Sequence, residues 1–238
     1  MTSQSSKRVR ASVTATSSEQ SSIPALPVPI ALSTTLTALD IFTRCVERAN
    51  NLLKIHKAAH GKKSKPEKFL ADAHRAAIVL AISALDSYIR TFVASRIRMV
   101  LADRNTSLPP SLCDKIKSFL KDDQLLEAAR KDDLIERVDK AFRKDFEKRT
   151  FQGTSAISDA LKLVGIDDVF HDVARKAQEN EDTLRQKIDA FTHRRHTIAH
   201  RGDYNLDENP PVENPITKKE AEECIRLVCV VAETIDTL

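Results

Sequence analysis

The densest cluster of polar side chains in this chain lies in the stretch KIDAFTHRRHTIAHRGDYN, residues 187–205. Read as a helix, it places three histidines at positions i, i+3 and i+7, which share one face, and sets three arginines around them. These residues are His193, His196, His200, Arg194, Arg195 and Arg201. An imidazole acts near pH 7 as a general base when neutral and as a general acid when protonated. Guanidinium groups bind a phosphate through two donors and stabilise the charge that develops on it.

A site made of arginine and histidine is suited to the attack of a ribose 2′-hydroxyl on the adjacent phosphate. The imidazole moves the proton, the guanidinium stabilises the five-coordinate phosphorus, and no metal is required. Because DNA lacks the 2′-hydroxyl, the expected substrate is RNA.

Two other interpretations of the same residues stay open. Three histidines at this spacing also suit zinc, but the crowding arginines and the lack of acidic residues on that face disfavour a cation. We therefore expect neither a metal nor another cofactor. Cations are also stabilised at the C-terminal end of any helix, so Arg195 and His200 could be ordinary surface or capping residues.

The composition indicates that helices position this cluster. Of 238 residues, 41% are hydrophobic and 5% aromatic, with no Trp and only 4 glycines. Sheet proteins favour aromatic and β-branched residues with glycine at their turns, whereas this mixture favours helices. The predicted class is all-α, a helical bundle with a disordered N-terminal arm. The net charge of +4 is too small to indicate nucleic-acid binding by itself.

Two regions are predicted along the chain. Residues 1–32 are rich in Ser, Thr and Pro and lack hydrophobic periodicity, which predicts a disordered arm, and residues 33–238 form one helical domain. Capping signals put the first helix start at Ser33 or Thr34 and the last at Thr217. The predicted helices span residues 33–60, 66–102, 111–121, 122–129, 131–148, 154–164, 167–177, 181–200 and 217–235. No strand is predicted.

Two residues outside the motif are candidates to assist it. Asp86, in the apolar segment ALDSYIR, needs a partner if its carboxylate is buried. That partner is either Arg194 or Arg195, whose guanidinium it would then support, or Arg90 four residues further on. Tyr204 lies just after the motif and would line the entrance of an RNA cleft, unless it is a loop tyrosine without a role.

A resemblance to a known family rests on these residues. Arg195 and His196, followed by three residues and then His200, resemble the signature of HEPN-domain ribonucleases: Arg, a polar Asn, Asp or His, three variable residues, and His. The motif ends the penultimate long helix, and ALDSYIR, residues 84–90, looks like the matching helix of the RiboL-PSP type of HEPN domain. The resemblance covers roughly residues 34–236.

The resemblance implies a metal-independent endoribonuclease that leaves a cyclic phosphate and a 5′-hydroxyl. Arg195 and His200 would be the catalytic pair, and His196 would orient or assist them. HEPN proteins typically dimerise so that two motif helices face each other across one composite cleft. Many act as toxins or in antiviral defence, which implies a cognate antitoxin or sensor protein as a further partner. The candidate substrate-binding residues are Arg194, Arg201 and Tyr204.

The spacing of the catalytic pair supports a dimer. Arg195 and His200 are five residues apart, so their directions differ by about 140° on an ideal helix. One helix does not aim both groups at one phosphate, unless it unwinds toward Gly202, whereas a symmetric pair of helices can do so. The alternatives are a catalytically inert HEPN module that binds RNA or a partner protein and dimerises through the same helix, and a purely structural dimer.

The expected location is the cytoplasm. The chain has 4 cysteines, Cys45, Cys113, Cys224 and Cys229, without a CxxC pair, which is typical of free thiols in a reducing compartment. The N-terminus has no apolar segment of the kind found in secretory signals, and no apolar run is expected to approach the length needed to cross a membrane. We therefore expect no membrane partner.

Overall fold

The computed structural model describes residues 36–59 and 68–238. The predicted arm, residues 1–32, and the predicted first caps, Ser33 and Thr34, lie outside these ranges. The described part of the chain is all-α, as predicted, and forms nine helices. They are α1 Ala38–Ala59, α2 Lys68–Ala102, α3 Pro110–Phe119, α4 Asp122–Lys131, α5 Leu134–Phe146, α6 Thr154–Lys162, α7 Val169–Ala177, α8 Glu181–Arg201 and α9 Lys218–Asp236.

The first helix begins later than its apolar pattern predicts. The Thr37 hydroxyl accepts a hydrogen bond from the Asp40 amide at 3.1 Å, and the Asp40 carboxylate accepts one from the Thr37 amide at 2.8 Å. This reciprocal cap satisfies two backbone donors that would otherwise be orphaned, so the helix starts at Ala38.

Helix α2 is the central element of the bundle, because it contacts α1, α5, α6, α8 and α9. Most of its buried positions are apolar or small, and Ala81, Leu85 and Ile89 are fully buried. By length and a mean hydropathy of 1.5 alone, Leu70–Ala102 could cross a membrane, so the expectation of no such run was wrong. More than half of its most apolar stretch is buried inside the bundle, which favours the core helix of a soluble protein.

The last two helices are joined by a short β-ribbon that the sequence did not predict. Strand β1, Tyr204–Asn205, pairs antiparallel with β2, Val212–Glu213. Helix α9 then begins with the predicted capping box, in which Thr217 accepts from the Glu220 amide at 3.2 Å. The ribbon returns the chain past the C-terminal end of α8, which is where the motif lies.

Candidate functional site

Helix α8 carries the whole motif and is defined at both ends. At its start, the Asn180 side chain accepts a hydrogen bond from the Thr183 amide at 3.2 Å. Leu184 and Ile188 bury its first turns in the core. At its end, Gly202 has a φ of 60°, a left-handed conformation that costs other residues strain. The helix therefore remains continuous through Arg201 and does not unwind before Gly202.

The turn after α8 folds the backbone back onto the helix. The amides of Gly202 and Asp203 both donate to the carbonyl of Thr197, at 3.2 Å for Asp203. This pattern satisfies one of the carbonyls left without a partner at a helix end. It also brings the Asp203 side chain underneath the last turn of α8, where it is completely buried.

Arg195 lies half-buried on the side of α8 that faces the bundle. Its Nε is buried and has no hydrogen-bond partner. The side chain makes no hydrogen bond or ion pair with any residue in the described ranges. The two Nη groups also lack a partner within the described residues but are not buried, so they are available to an anion that enters from solution.

His196 and His200 are exposed on the solvent side of the same helix. Their ring centroids lie 4.5 Å apart with an interplanar angle of 45°. His193 is also exposed, which agrees with the predicted shared face, but the ring contact that the structure shows is between His196 and His200. Two accessible imidazoles at this distance can both reach one phosphodiester.

The pair Arg195 and His200 diverges as the helical spacing predicts. Because α8 is a regular helix to Arg201, the two side chains point about 140° apart. Arg195 lies toward the bundle, and His200 lies toward solvent. A single motif helix therefore presents the two groups on different sides.

Arg194, the neighbour of Arg195, also has a buried Nε without a hydrogen-bond partner, but its Nη2 is already occupied. Its Nη2 donates to the Asp203 carboxylate at 2.8 Å and to the Pro215 carbonyl at 2.8 Å. The sequence suggested that Arg194 contacts RNA, but these bonds hold its guanidinium inside the protein. In this structure Arg194 joins the end of α8 to the segment that precedes α9.

Arg75 completes this cluster from α2. Its Nε donates to the same Asp203 oxygen at 2.7 Å, and its Nη1 lies 2.9 Å from Glu213. Burial alone would lower the pKa of Arg75, but the hydrogen bonds that it donates to Asp203 and Asp72 outweigh that effect and raise it. The guanidinium is therefore firmly charged, and the cluster ties α2 to the end of α8.

Sequence reasoning missed Arg75 and Asp203. The available signal was the charge of Arg75 among buried alanines and Ile78, because a buried guanidinium requires an acceptor. The sequence does not reveal which residue is the acceptor, because that residue lies 128 positions further along the chain.

Asp86 does not support the motif arginines, which corrects one of the two interpretations given above. Its carboxylate lies 3.3 Å from Arg90, the alternative partner at i+4, and also accepts from the Phe151 amide. The physical reason is that these two donors satisfy Asp86 on the side of α2 that faces α5 and α6, while Asp203 serves Arg194.

The remaining candidate substrate-binding residues lie at the surface. Arg201 is exposed at the last position of α8. Tyr204 is 42% exposed, in β1 opposite Glu213. Both are accessible to a ligand bound at the exposed end of the motif helix. Among the described residues, no group of three or more His, Cys, Asp or Glu side chains is placed to hold a metal ion.

Comparison with known proteins identifies the family of the chain. The family model described as RiboL-PSP-HEPN matches residues 43–238, which include all of α2, α8 and α9. No curated protein and no solved structure matches the chain. The matched region covers most of the chain and contains the motif and its supporting helices, and on this basis the protein belongs to the RiboL-PSP-HEPN family.

Proposed function

We propose that this protein is a cytoplasmic, metal-independent endoribonuclease that cleaves RNA by attack of the 2′-hydroxyl. Membership of the HEPN family supports a ribonuclease or an RNA-binding module. Two features at the end of α8 carry the catalytic proposal. Arg195 has no partner within the described residues, and the exposed imidazoles of His196 and His200 follow it on the same helix. Phosphoryl chemistry needs both kinds of group, one that binds the anion and others that transfer protons.

The proposed reaction uses three residues. An imidazole of His200 accepts the proton of the 2′-hydroxyl, and the O2′–P bond forms while the P–O5′ bond breaks. The protonated His200 imidazole returns this proton to the departing O5′, which leaves a 2′,3′-cyclic phosphate and a 5′-hydroxyl. Arg195 stabilises the charge on the five-coordinate phosphorus. His196 orients or assists, through its contact with His200.

A second copy of the chain would resolve the divergence of Arg195 and His200. In a symmetric pair of α8 helices, groups from both protomers contribute to one cleft. A groove of about 490 Å³ lies between α2 and α8 beside the motif. Most of its lining is apolar, from Ala76, Val79, Leu80 and Ile198, and Asp72, Arg75 and Gly202 complete it. Leu80 is 36% exposed, although it lies in the middle of the central helix. An apolar surface at that position favours a protein interface.

Residues around the C-terminal end of α8 would bind the RNA on either side of the cleaved phosphate. Arg201 would contact the phosphate backbone, and Tyr204 would stack on an unpaired base. Arg194 is left out of this set, because its guanidinium is bound to Asp203 and Pro215. The biological setting that the family suggests is a toxin or an antiviral defence protein with an antitoxin or sensor as partner.

The test is cleavage of mixed cellular RNA by the purified protein in excess EDTA. Wild type is compared with Arg195→Ala, His200→Ala and the matched control His193→Ala, which removes an exposed histidine of the same helix outside the signature. We expect cyclic-phosphate ends from wild type and the control only. RNA left equally intact in all four samples would argue for a catalytically inert HEPN module. If the wild-type protein then binds RNA in a salt-dependent way and Arg195→Ala binds it more weakly, the module is an RNA-binding one.

A further inference from the structure

We propose that Asp203 is a positioning residue for the motif: with Arg75 and Arg194 it holds the last turn of α8 and thereby places His200. The proposal rests on the proposed function, since it assigns a role in the same site. It concerns a buried carboxylate outside the signature Arg195–His200, and none of the three cluster residues touches the RNA.

The Asp203 carboxylate joins two helices through one oxygen. Its Oδ2 accepts from Arg75 Nε of α2 at 2.7 Å and from Arg194 Nη2 of α8 at 2.8 Å. The carboxylate is completely buried, and Arg75 is 7% exposed. Two guanidiniums held this close would repel each other without the negative charge between them. A neutral side chain of the same shape therefore does not substitute for Asp203.

The backbone of Asp203 is fixed on both sides. Its amide donates to the Thr197 carbonyl, and its own carbonyl accepts from the Asn214 amide at 2.9 Å and from Asn214 Nδ2 at 2.8 Å. Its φ is 67°, a conformation that few residues other than glycine adopt without support. The surrounding contacts provide that support, so the turn has one defined geometry.

His200 lies inside the loop of chain that Asp203 closes. Thr197 precedes it by three residues and Asp203 follows it by three, and the hydrogen bond between those two closes the segment. Arg194, in the preceding turn of α8, also holds Asp203 through a hydrogen bond to its carboxylate. A change in the Asp203 carboxylate is transmitted to the turn that carries His200, whereas the turns around Leu184 are held independently by the core.

The experiment compares Asp203→Asn with Glu179→Gln, a matched control. Glu179 also holds α8 through an ion pair, with Lys187 at 2.7 Å, but Lys187 lies on the order of 20 Å along the helix from His200. Both variants replace a carboxylate by its amide. We measure kcat and KM for RNA cleavage below the unfolding temperature of each variant, and amide hydrogen exchange of residues 197–203 without RNA.

For Asp203→Asn we expect the amides of residues 197–203 to lose protection against hydrogen exchange. We also expect kcat to fall by about a hundredfold with KM little changed, because misplaced catalytic groups slow the chemical step without weakening RNA binding. Glu179→Gln keeps the wild-type kcat. If Asp203→Asn does not fold, Arg194→Lys is measured in its place, since it keeps the charge and removes the planar fork of donors.

Three results would overturn the proposal: unchanged exchange in residues 197–203, lost protection with a wild-type kcat, or an equal loss of kcat in Glu179→Gln. An inactive wild-type protein would instead contradict the proposed function. The exchange data then still decide whether Asp203 holds the segment, because they require no RNA.

Discussion

Arg194 donates hydrogen bonds to Asp203 and Pro215, whereas its neighbour Arg195 makes no side-chain hydrogen bond or ion pair with the described residues. The two arginines are identical in type and adjacent in sequence. Their directions differ by about 100° on the helix, which directs one to the buried carboxylate and leaves the other without an acceptor. One therefore serves the fold, and the other is free for a ligand.

This contrast predicts that alanine lowers mainly the stability of the protein at position 194 and mainly its cleavage activity at position 195. Arg194→Ala leaves the buried Asp203 with one guanidinium fewer and should lower the free energy of unfolding by about 2 kcal/mol. Arg195→Ala removes a buried nitrogen without a partner and should leave stability within about 0.5 kcal/mol of wild type while abolishing cleavage. Urea unfolding and an RNA cleavage assay check the two effects. A strong loss of stability in Arg195→Ala would show that it has a structural role instead.

The two histidines in contact, His196 and His200, should differ in their tolerance of substitution. The family signature admits Asn at the position of His196, so His196→Asn should retain most activity, whereas His200→Asn should lower the cleavage rate by about 10²–10⁴-fold, the contribution of a general acid or base. Both substitutions keep a polar side chain of similar size at an exposed position. Single-turnover cleavage rates measure the difference, and equal rates in the two variants would argue against a proton-transfer role specific to His200.

The groove between α2 and α8 predicts a dimer that can be disrupted from the surface. Leu80→Glu places a charge in the apolar interface and should convert a dimer to a monomer in sedimentation velocity, with loss of cleavage. Leu126→Glu is the control, because Leu126 is 69% exposed on α4, far from the motif helix in the chain. The control should remain dimeric and active. A monomeric wild-type protein that still cleaves RNA would rule out the composite site.

Acid should weaken the ion pairs of Glu223, which binds Arg226 within α9 and lies 3.4 Å from Lys187 of α8. Hydrogen bonding from Arg226 lowers the pKa of Glu223 to about 2, from 4.5 in an unperturbed side chain. Because the folded pKa is the lower one, the carboxylate stabilises the fold above about pH 4.5 and loses this effect as the pH falls toward 2. Unfolding of Glu223→Gln should therefore depend less on pH over that window than unfolding of wild type. Glu222→Gln, which removes an exposed neighbouring carboxylate, is the control. If the stability of wild type and of Glu223→Gln depended on pH in the same way, the lowered pKa of Glu223 would be contradicted.

The sequence by itself determined the helices and the motif. Helices α2, α8 and α9 follow from apolar periodicity, from Gly202 at the end of α8 and from the capping box at Thr217, all of which act within a few residues. The order Arg195, His196, His200 is likewise a local pattern, and it lies within the region that the family model matches.

Only the tertiary structure decided which charged groups are partners. Asp86 was expected to choose between a local arginine and the motif, and it pairs with Arg90, one helical turn away. Arg75 and Asp203 meet across 128 residues, through a reversal of the chain at a left-handed glycine and a short β-ribbon. Local patterns cannot specify such a contact, because ion pairing depends on which surfaces the packed helices bring together. That packing makes Arg194 part of the scaffold and leaves Arg195 beside it without a partner among the described residues.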